Sequence, residues 1–146
     1  MRRTFRIVSV NVSRRTGERK KPVRRAVAVR DHGLEGDAHA GPGERQVSLL
    51  AVEDIETMRA KIPSIGPGDF AENLTTEGID LAALPVGTRL EIGEAVLEIT
   101  RIGKECHAGC AIRELAGDCV MPRRGVFARV ERGGEISDAD TGSYDI

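Results

Sequence analysis

Aromatic side chains are scarce in this chain, whose 146 residues include three Phe, one Tyr and no Trp. A hydrophobic core must therefore be built from aliphatic side chains. A single domain of this length buries roughly two-thirds of its unfolded surface, so it can fold without disulfides or a structural metal. The sequence has no internal repeat, low-complexity tract or obvious linker. Residues 1–146 are therefore predicted to form one domain.

Long apolar runs are also missing, and none approaches the ~18–20 residues that span a bilayer. The opening MRRTFRIVSVNV has only a short apolar stretch, broken by Ser9 and Asn11, and it lacks a small-residue cleavage site. The three cysteines are an odd number, which does not make the disulfide framework of a secreted protein. We therefore expect reduced thiols, a cytoplasmic location and no membrane partner.

Neither sign of charge dominates, because the formal net charge is −1. Basic residues do crowd one segment, but the aromatic stacking residues typical of nucleic-acid sites are missing from it, so no nucleic-acid partner is expected. We interpret the segment as a solvated loop and strand edge; a surface that attracts a small anionic ligand is the alternative. Its cations are Arg14, Arg15, Arg19, Lys20, Lys21, Arg24, Arg25 and Arg30.

Short β-type runs separated by Gly-rich segments predict a mainly β fold. The runs at 5–12, 25–30 and 46–50 are typical of strands. Helical spacing of apolar residues predicts one helix over 52–62, which Pro63 ends. Two hairpins are predicted, over 87–102 with Gly93-Glu94 as the turn and over 126–136 with Gly133-Gly134 as the turn. About seven short strands with so few helices favour a closed or nearly closed barrel.

A cluster of thiols and an imidazole gives the clearest chemical signal. Thiolates bind soft metals and carry sulfur, and the basic neighbours Arg101 and Lys104 favour the thiolate of Cys106 while Glu105 opposes it. A structural zinc site is disfavoured because such sites use C-x2-C pairs, whereas the first pair here is C-x3-C. Buried, inert thiols remain an alternative. The cluster comprises Cys106, His107, Cys110 and Cys119.

Two loop segments add polar side chains. In GLEGDAHA, an extended backbone would turn Glu35, Asp37 and His39 to one side, where they could bind a hard metal or do acid–base work. Asp and Gly more often build turns, so a turn is the preferred interpretation. In PGDFAENL, Asn73 either pins the loop or presents its amide to a ligand, and pinning is preferred.

Taken in order, the motifs resemble the MOSC domain, the C-terminal module of molybdenum cofactor sulfurases that also occurs as stand-alone bacterial proteins. The resemblance covers nearly the whole chain and implies a MOSC-type β-barrel with few short helices. The matching strings are GLEGDAHA (33–40), RQVSLL (45–50), PGDFAENLTTEGIDL (67–81), VGTRLEIGEAVLEIT (86–100), a cysteine at 106 and RGVFARVERGGEIS (124–137).

The resemblance also implies a site for the molybdenum cofactor, molybdopterin with its metal. Cys106 occupies the family's cysteine position, where it carries sulfur as a persulfide or ligates molybdenum. Glu105 stands where stand-alone enzymes have Pro, and the additional thiols resemble a subgroup linked with cofactor biosynthesis. The chain has no room for a pyridoxal phosphate module as well. The implied cofactor-binding residues are Asp37, His39, Arg45, Asn73 and Arg101.

Three functions follow from the resemblance. The preferred one is a carrier that delivers sulfur or a molybdenum–pterin species to molybdoenzymes or cofactor-biosynthesis proteins, with a cysteine desulfurase as the sulfur donor. A second is a molybdenum-dependent reductase of N-hydroxylated substrates in which Cys106 ligates the metal. A third is a non-catalytic module that binds the cofactor. Sulfurase-like transfer is favoured over oxidoreductase chemistry.

Overall fold

The computed structural model describes residues 1–16, 18–103 and 124–146. Strands dominate this part of the chain, with one six-residue helix and one short 3₁₀ turn at Leu81–Ala83. In chain order the elements are β1 (Arg2–Val12), β2 (Lys21–Val23), β3 (Arg25–Val29), β4 (Gly33–Leu34), β5 (Val47–Ala51), α1 (Val52–Thr57), β6 (Leu74–Glu77), β7 (Arg89–Ile92), β8 (Ala95–Ile102), β9 (Val126–Arg132), β10 (Gly134–Ser137) and β11 (Thr141–Asp145).

Seven of the strands close into a mixed β-barrel. Their order around the barrel is β11, β7, β8, β9, β5, β6 and β1, and β1 pairs again with β11 to complete the ring. Neighbours run antiparallel except β5 and β6, which are parallel. Strand β2 extends the sheet beside β1, while β10, β3 and β4 form a separate three-stranded sheet. The predicted mainly β barrel is confirmed.

The barrel interior is aliphatic, as the shortage of aromatic residues requires. Val47 and Leu49 of β5 and Val126 of β9 are fully buried in it, packed among the inward side chains of the other barrel strands. A second cluster lies on the opposite face of β5 and β9, where Leu50 and Phe127 pack against residues of α1 and the segment after it. The barrel wall therefore separates two packed layers.

Helix α1 supplies the crossover that a parallel strand pair requires. It begins directly after β5, and the chain then returns through an irregular segment to β6, with Ile55 buried against the outer face of the wall. The helix ends at Thr57, five residues before the predicted end at Ile62. Among the described residues, no helix is long and apolar enough to cross a bilayer.

One register shift in β1 decides which of its side chains face the barrel interior. The pairing with β6 shifts between Ile7 and Ser9, as at a β-bulge. Phe5 and Ile7 before the shift and Val10 after it all belong to the main core. Because side chains alternate along a strand, the shift places Ser9 and Asn11, two positions apart, on the outer face.

Of the two predicted hairpins, the first is confirmed and the second is wrong. Strands β7 and β8 pair from Arg89↔Glu98 to Ile92↔Ala95, and Gly93 has the positive φ of 58° that its turn needs. Strands β9 and β10 do not pair with each other, because β9 lies between β8 and β5 while β10 pairs with β3. Residues 126–136 therefore connect two sheets. Each of the two strands pairs with distant parts of the chain instead of with the other strand.

The end of the chain forms the last strand of the barrel. Residues 141–145 form β11, which pairs with β1 from Arg2↔Asp145 to Arg6↔Thr141 and with β7 at Gly142↔Ile92. The backbone pairing on both sides outweighs the weak local β signal of its sequence.

Gly142 of β11 is required by a close approach to the core. A Cβ added there would lie 2.2 Å from Cζ of the buried ring of Phe5. We expect Gly142→Ala to lower the free energy of unfolding by about 1–3 kcal/mol through overpacking, measured by urea denaturation. Gly66→Ala is the matched control, because a Cβ at Gly66 meets nothing within 4 Å. Equal stability of the two variants would contradict this packing.

Candidate functional site

A layer of buried polar side chains covers the outer face of β1, β5 and β6. The register shift turns the polar residues of β1 outward, and Ser48 of β5 and the start of β6 lie beside them. Asn11 Nδ2 donates to Oγ1 of Thr75 at 3.1 Å, and Ser48 Oγ lies 3.2 Å from Oδ1 of Asn73. The layer comprises Ser9, Asn11, Ser13, Lys20, Asp37, Ser48, Glu72, Asn73 and Thr75.

A buried ion pair lies at one end of this layer. Lys20 Nζ donates to Asp37 Oδ1 at 2.7 Å, and both side chains are fully shielded from solvent. The same ammonium donates to Ser13 Oγ at 3.1 Å and lies 2.8 Å from His39 Nδ1. Two fully buried charges are tolerated only when they are paired and hydrogen-bonded, as they are here.

Asp37 is anchored by its surroundings on both carboxylate oxygens. Oδ1 accepts the backbone N–H of Ser13 at 3.0 Å and Oδ2 accepts that of His39 at 3.2 Å. Burial raises the pKa of Asp37, but the hydrogen bond from Lys20, the Ser13 N–H and the nearby Asn73 amide together hold that pKa below its ordinary 3.8. The carboxylate therefore stabilises the fold at neutral pH, and this contribution is lost as the pH falls through and below 3.8.

The ion pair also fixes the protonation pattern of His39. A lysine ammonium can only donate, so Nδ1 of His39 must accept, and the ring proton then lies on Nε2. The backbone of His39 is tied to Asp37, while the side chain is exposed to solvent. His39 thus presents an N–H donor at the surface directly above the buried charges.

Asn73 holds three strands together. Its Oδ1 accepts the backbone N–H of Ser48 at 3.0 Å, and its Nδ2 donates to the backbone carbonyl of Asn11 at 3.2 Å. Its side chain also lies close enough to Asp37 to help lower the pKa of that carboxyl. Asn73 therefore pins its loop, as preferred from the sequence, and it does so beside the ion pair.

The contacts and strand register of the two predicted arginines connect them to Phe127 of β9 rather than to Asn73. Arg45 is exposed, with its guanidinium carbon 5.4 Å from the ring centroid of Phe127, a cation–π contact. Arg101 is opposite Phe127 in the β8–β9 register, and Phe127 is opposite Ser48 in the next pair of strands. The described contacts of Arg45 thus connect it to Phe127, whereas Asp37, His39 and Asn73 gather around Lys20.

The GLEGD segment forms turns, as preferred from the sequence. The alternative, in which an extended backbone turns Glu35, Asp37 and His39 to one side, is therefore wrong. Glu35 is exposed and Asp37 is buried. Gly33 has φ +124°, and a Cβ there would lie 2.4 Å from the backbone oxygen of Gln46. Only glycine allows the loop to approach Gln46 this closely. Within residues 1–16, 18–103 and 124–146, no group of three His, Cys, Asp or Glu side chains is arranged to hold a metal ion.

A cationic cleft adjoins the ion pair. It has a volume of about 470 Å³, within the range of about 300–1,000 Å³ typical of small-molecule sites. It shares Ser13 with the Asp37 anchor, so the cleft and the buried cluster meet at that residue. Its walls are Val12, Ser13, Arg14, Glu18, Arg19, Lys21, Val23 and Gly36.

Sequence reasoning missed Lys20 and Ser13 as site residues. Lys20 belongs to a run of cations that is typical of a solvated loop, and nothing local distinguishes the one side chain that turns inward. The carboxylate that holds it lies 17 positions away, so only the fold reveals the pair. The thiol cluster, with Cys106, Cys110 and Cys119, lies outside the described residues, as do Lys104, Glu105 and His107.

Fold and site together define a small mixed β-barrel domain whose polar cluster and cationic cleft lie outside the barrel wall. The chain belongs to the MOSC domain family, whose model matches residues 35–141. It is therefore a domain of a family associated with the molybdenum cofactor. No curated protein matches the chain significantly.

Solved structures of small bacterial proteins share this fold. YuaD from Bacillus subtilis is similar with a TM-score of 0.82 and 20% identity, over 99% of this chain and 97% of that one. YiiM from Geobacillus stearothermophilus has a TM-score of 0.77 and 19% identity, over 97% of this chain and 75% of that one. YiiM from Escherichia coli has a TM-score of 0.72 and 17% identity, over 99% of this chain and 70% of that one.

The ion pair can be tested by removing one partner. We expect Lys20→Met to lower the free energy of unfolding by about 3–5 kcal/mol, because Asp37 would stay buried without its counter-charge. The loss should shrink as the pH is lowered, since protonation of Asp37 removes that charge. Denaturant titrations at several pH values measure both effects.

Two further variants control this experiment. Lys20→Met combined with Asp37→Asn should recover much of the lost stability, because it leaves no unpaired charge and keeps a side-chain oxygen that accepts a backbone N–H. Lys61→Met removes an exposed lysine and should change stability by no more than about 0.5 kcal/mol. A Lys20→Met protein as stable as the Lys61→Met protein would refute the buried pair.

Proposed function

We propose that this chain binds the molybdenum cofactor where the Lys20 cluster meets the cationic cleft, and that Cys106 carries sulfur or a molybdenum–pterin species to molybdoenzymes. The observation that carries the proposal is a buried Lys20–Asp37 pair beside a cleft that has three further cations among its lining residues. The family match supports the class of cofactor.

The residues of the cleft fit an anionic ligand. Arg14, Arg19 and Lys21 contribute three cations against the one carboxylate of Glu18. Guanidinium groups match the oxygens of a phosphate in a two-point geometry, and lysine adds a mobile point charge. The phosphate of a pterin cofactor is an anion of this kind, and the volume of the cleft suits a small molecule.

His39, which contacts the ion pair, supplies a neutral donor for the rest of the ligand. His39 offers Nε2–H at the surface, and its orientation is set by Lys20 below and by Asp37 at its backbone. Because Asp37 and Lys20 neutralise each other, they hold this donor in place without adding net charge. In this proposal the arginines bind the phosphate while His39 orients the remainder.

Cys106 provides the sulfur chemistry. Its thiolate attacks the outer sulfur of a persulfide on a cysteine desulfurase, a new S–S bond forms on Cys106, and the desulfurase cysteine leaves as a thiolate. No external oxidant is needed, since the sulfur is transferred at the same oxidation level. When bound, the molybdenum centre would supply a soft-metal site that accepts a thiolate ligand. Delivery to a molybdoenzyme or a cofactor-biosynthesis protein completes the carrier role.

Single Cys→Ser variants test the carrier role. We expect Cys106→Ser to lose both the persulfide formed with a cysteine desulfurase and the molybdenum retained after anaerobic co-expression with cofactor synthesis, because a hydroxyl forms no persulfide and is a hard ligand. Cys119→Ser is the matched control and should keep substantial function, whereas Cys110→Ser should be intermediate if it relays sulfur. Persulfide labelling, elemental analysis and pterin analysis give the readouts.

Other outcomes of this experiment select other functions. A Cys106→Ser protein that keeps persulfide and molybdenum contradicts the proposal. Equal loss from all three variants, with zinc in the wild type, indicates a structural metal. Turnover of N-hydroxylated substrates with a flavin reductase selects a reductase, and tight pterin capture without transfer selects a binding module.

Substitutions in the cleft test ligand binding separately from the thiol. Each charge-assisted hydrogen bond to the phosphate contributes about 1.5–3 kcal/mol, so Arg19→Gln should weaken capture of the pterin by at least about tenfold. Lys21→Gln and His39→Ala should act in the same direction. All three side chains are exposed, so the fold should survive.

Arg3→Gln is the control for this series. It removes an exposed arginine of β1 that does not line the cleft, and it should leave capture unchanged. Normal pterin binding by the Arg19, Lys21 and His39 variants alike would move the site elsewhere. Equilibrium binding followed by pterin fluorescence gives the measurement.

A further inference from the structure

A second ionisable group, Glu72, is buried behind the ion pair and is not used by the proposed chemistry. Its side chain is fully shielded from solvent. Oε2 accepts the backbone N–H of Gly68 at 3.0 Å and the hydroxyl of Thr75 at 2.7 Å. A carboxyl in this position therefore ties the 66–72 loop to β6.

Gly68 links this carboxyl to Lys20. Its carbonyl accepts the backbone N–H of Lys20 at 2.8 Å, while its own N–H is held by Glu72. Gly68 has φ +88°, and a Cβ there would lie 2.1 Å from the backbone oxygen of Lys20. The two peptide groups are thus in direct contact, and a change in the position of one must move the other.

A second route runs from Glu72 through Asn11. The backbone carbonyl of Glu72 accepts Nδ2 of Asn11 at 3.2 Å. The backbone N–H of Asn11 donates to the carbonyl of Asn73 at 2.7 Å, and Nδ2 of Asn73 donates back to Asn11. Both routes from Glu72 therefore reach the residues that surround Asp37.

The other oxygen of Glu72 is unusual. Among the described residues, Oε1 has no hydrogen-bond partner although it is buried. Burial raises the pKa of Glu72 to about 7, against the opposing effects of the bonds from Thr75 and Gly68. If Glu72 served only to pin the loop, its unpartnered Oε1 would bring no benefit, because a buried oxygen without a hydrogen bond disfavours the ionised carboxylate.

The charged groups on the elements packed around Glu72 make their contacts elsewhere. Lys20 pairs with Asp37. On the neighbouring loops, Arg19 lies 4.0 Å from Asp69, which also accepts the Gly66 N–H. Among the described residues, none of these groups hydrogen-bonds to the Glu72 carboxyl. Its protonation is therefore set by burial and by the neutral donors around it.

We propose that Glu72 is a positioning residue for Lys20. When it is ionised, the Glu72 carboxyl binds the Gly68 peptide more tightly and so fixes the Lys20 ammonium on Asp37 and His39. A carboxylate makes charge-assisted bonds that are roughly twice as strong as those of a neutral acid. Raising the pH through neutrality therefore tightens the Gly68 and Lys20 backbones. The link to ligand binding rests on the proposed function, whereas the link between Glu72 and Lys20 does not.

Backbone amide resonances of the ligand-free protein test the link directly. In the wild type, the Gly68 and Lys20 amide shifts should follow one titration with a midpoint near 7, and the Gly68 proton should move downfield as the carboxylate forms. Glu72→Gln should abolish both titrations, because the amide keeps an acceptor for Gly68 but does not ionise. Glu77→Gln, which changes an exposed glutamate of β6, should leave both unchanged.

Stability provides a second readout. The folded-state pKa of about 7 lies above the ordinary 4.5, so the contribution of Glu72 is fully present below pH 4.5 and is lost as the pH rises to about 7. The slope of unfolding free energy against pH over this window should disappear in Glu72→Gln. A Gly68 amide that does not titrate in the wild type, or one that still titrates in Glu72→Gln, overturns the proposal.

Pterin capture then separates this inference from the proposed function. If both hold, capture by the wild type strengthens with pH through neutrality and the Glu72→Gln protein lacks that step. If the domain captures no pterin, the amide titration still decides the role of Glu72. If capture is normal but its pH step persists in Glu72→Gln, Glu72 does not position the site.

Discussion

The register shift between Ile7 and Ser9 is the constraint on which the arrangement of this domain depends. Without it, strict alternation along β1 would place Ser9 and Asn11 in the aliphatic interior and Val10 outside. With it, one strand supplies apolar side chains to the barrel at both ends and polar side chains to the outer layer at one end. The cluster around Lys20 is built on that layer.

The barrel beneath the polar layer provides the folding stability that the layer itself does not. Burying Lys20 and Asp37 removes two charges from water, and ion pairs of this kind contribute little net stability compared with apolar residues of the same volume. The aliphatic interior, closed on itself by seven strands, carries the stability instead. The domain can therefore maintain charges in fixed positions on loops such as GLEGD, where loops alone would leave them mobile.

Local patterns in the sequence predicted the parts of this fold that local chemistry determines. The Gly93 hairpin and the strands at 5–12 and 46–50 follow from turn chemistry and β propensity between near neighbours. The connection after β9 did not, since Gly133-Gly134 allows a tight turn and only the distant pairing with β3 excludes it. The same limit applies to the candidate site. The motifs single out Asp37 and Asn73 as candidates, but Lys20 is distinguished from its basic neighbours only by burial against a distant carboxylate.

The pairing of β1 with β11 has a consequence for how the chain acquires this structure. The residues paired between these strands are at least 135 positions apart in the chain, yet their hydrogen bonds complete the ring. Strand pairing at such sequence separation is slow, because a large loop entropy must be lost before any contact compensates for it. During synthesis the edges of β1 and β7 that pair with β11 stay unpaired until β11 leaves the ribosome. The barrel thus closes after translation of its last strand, and until then these unpaired edges can pair with other chains.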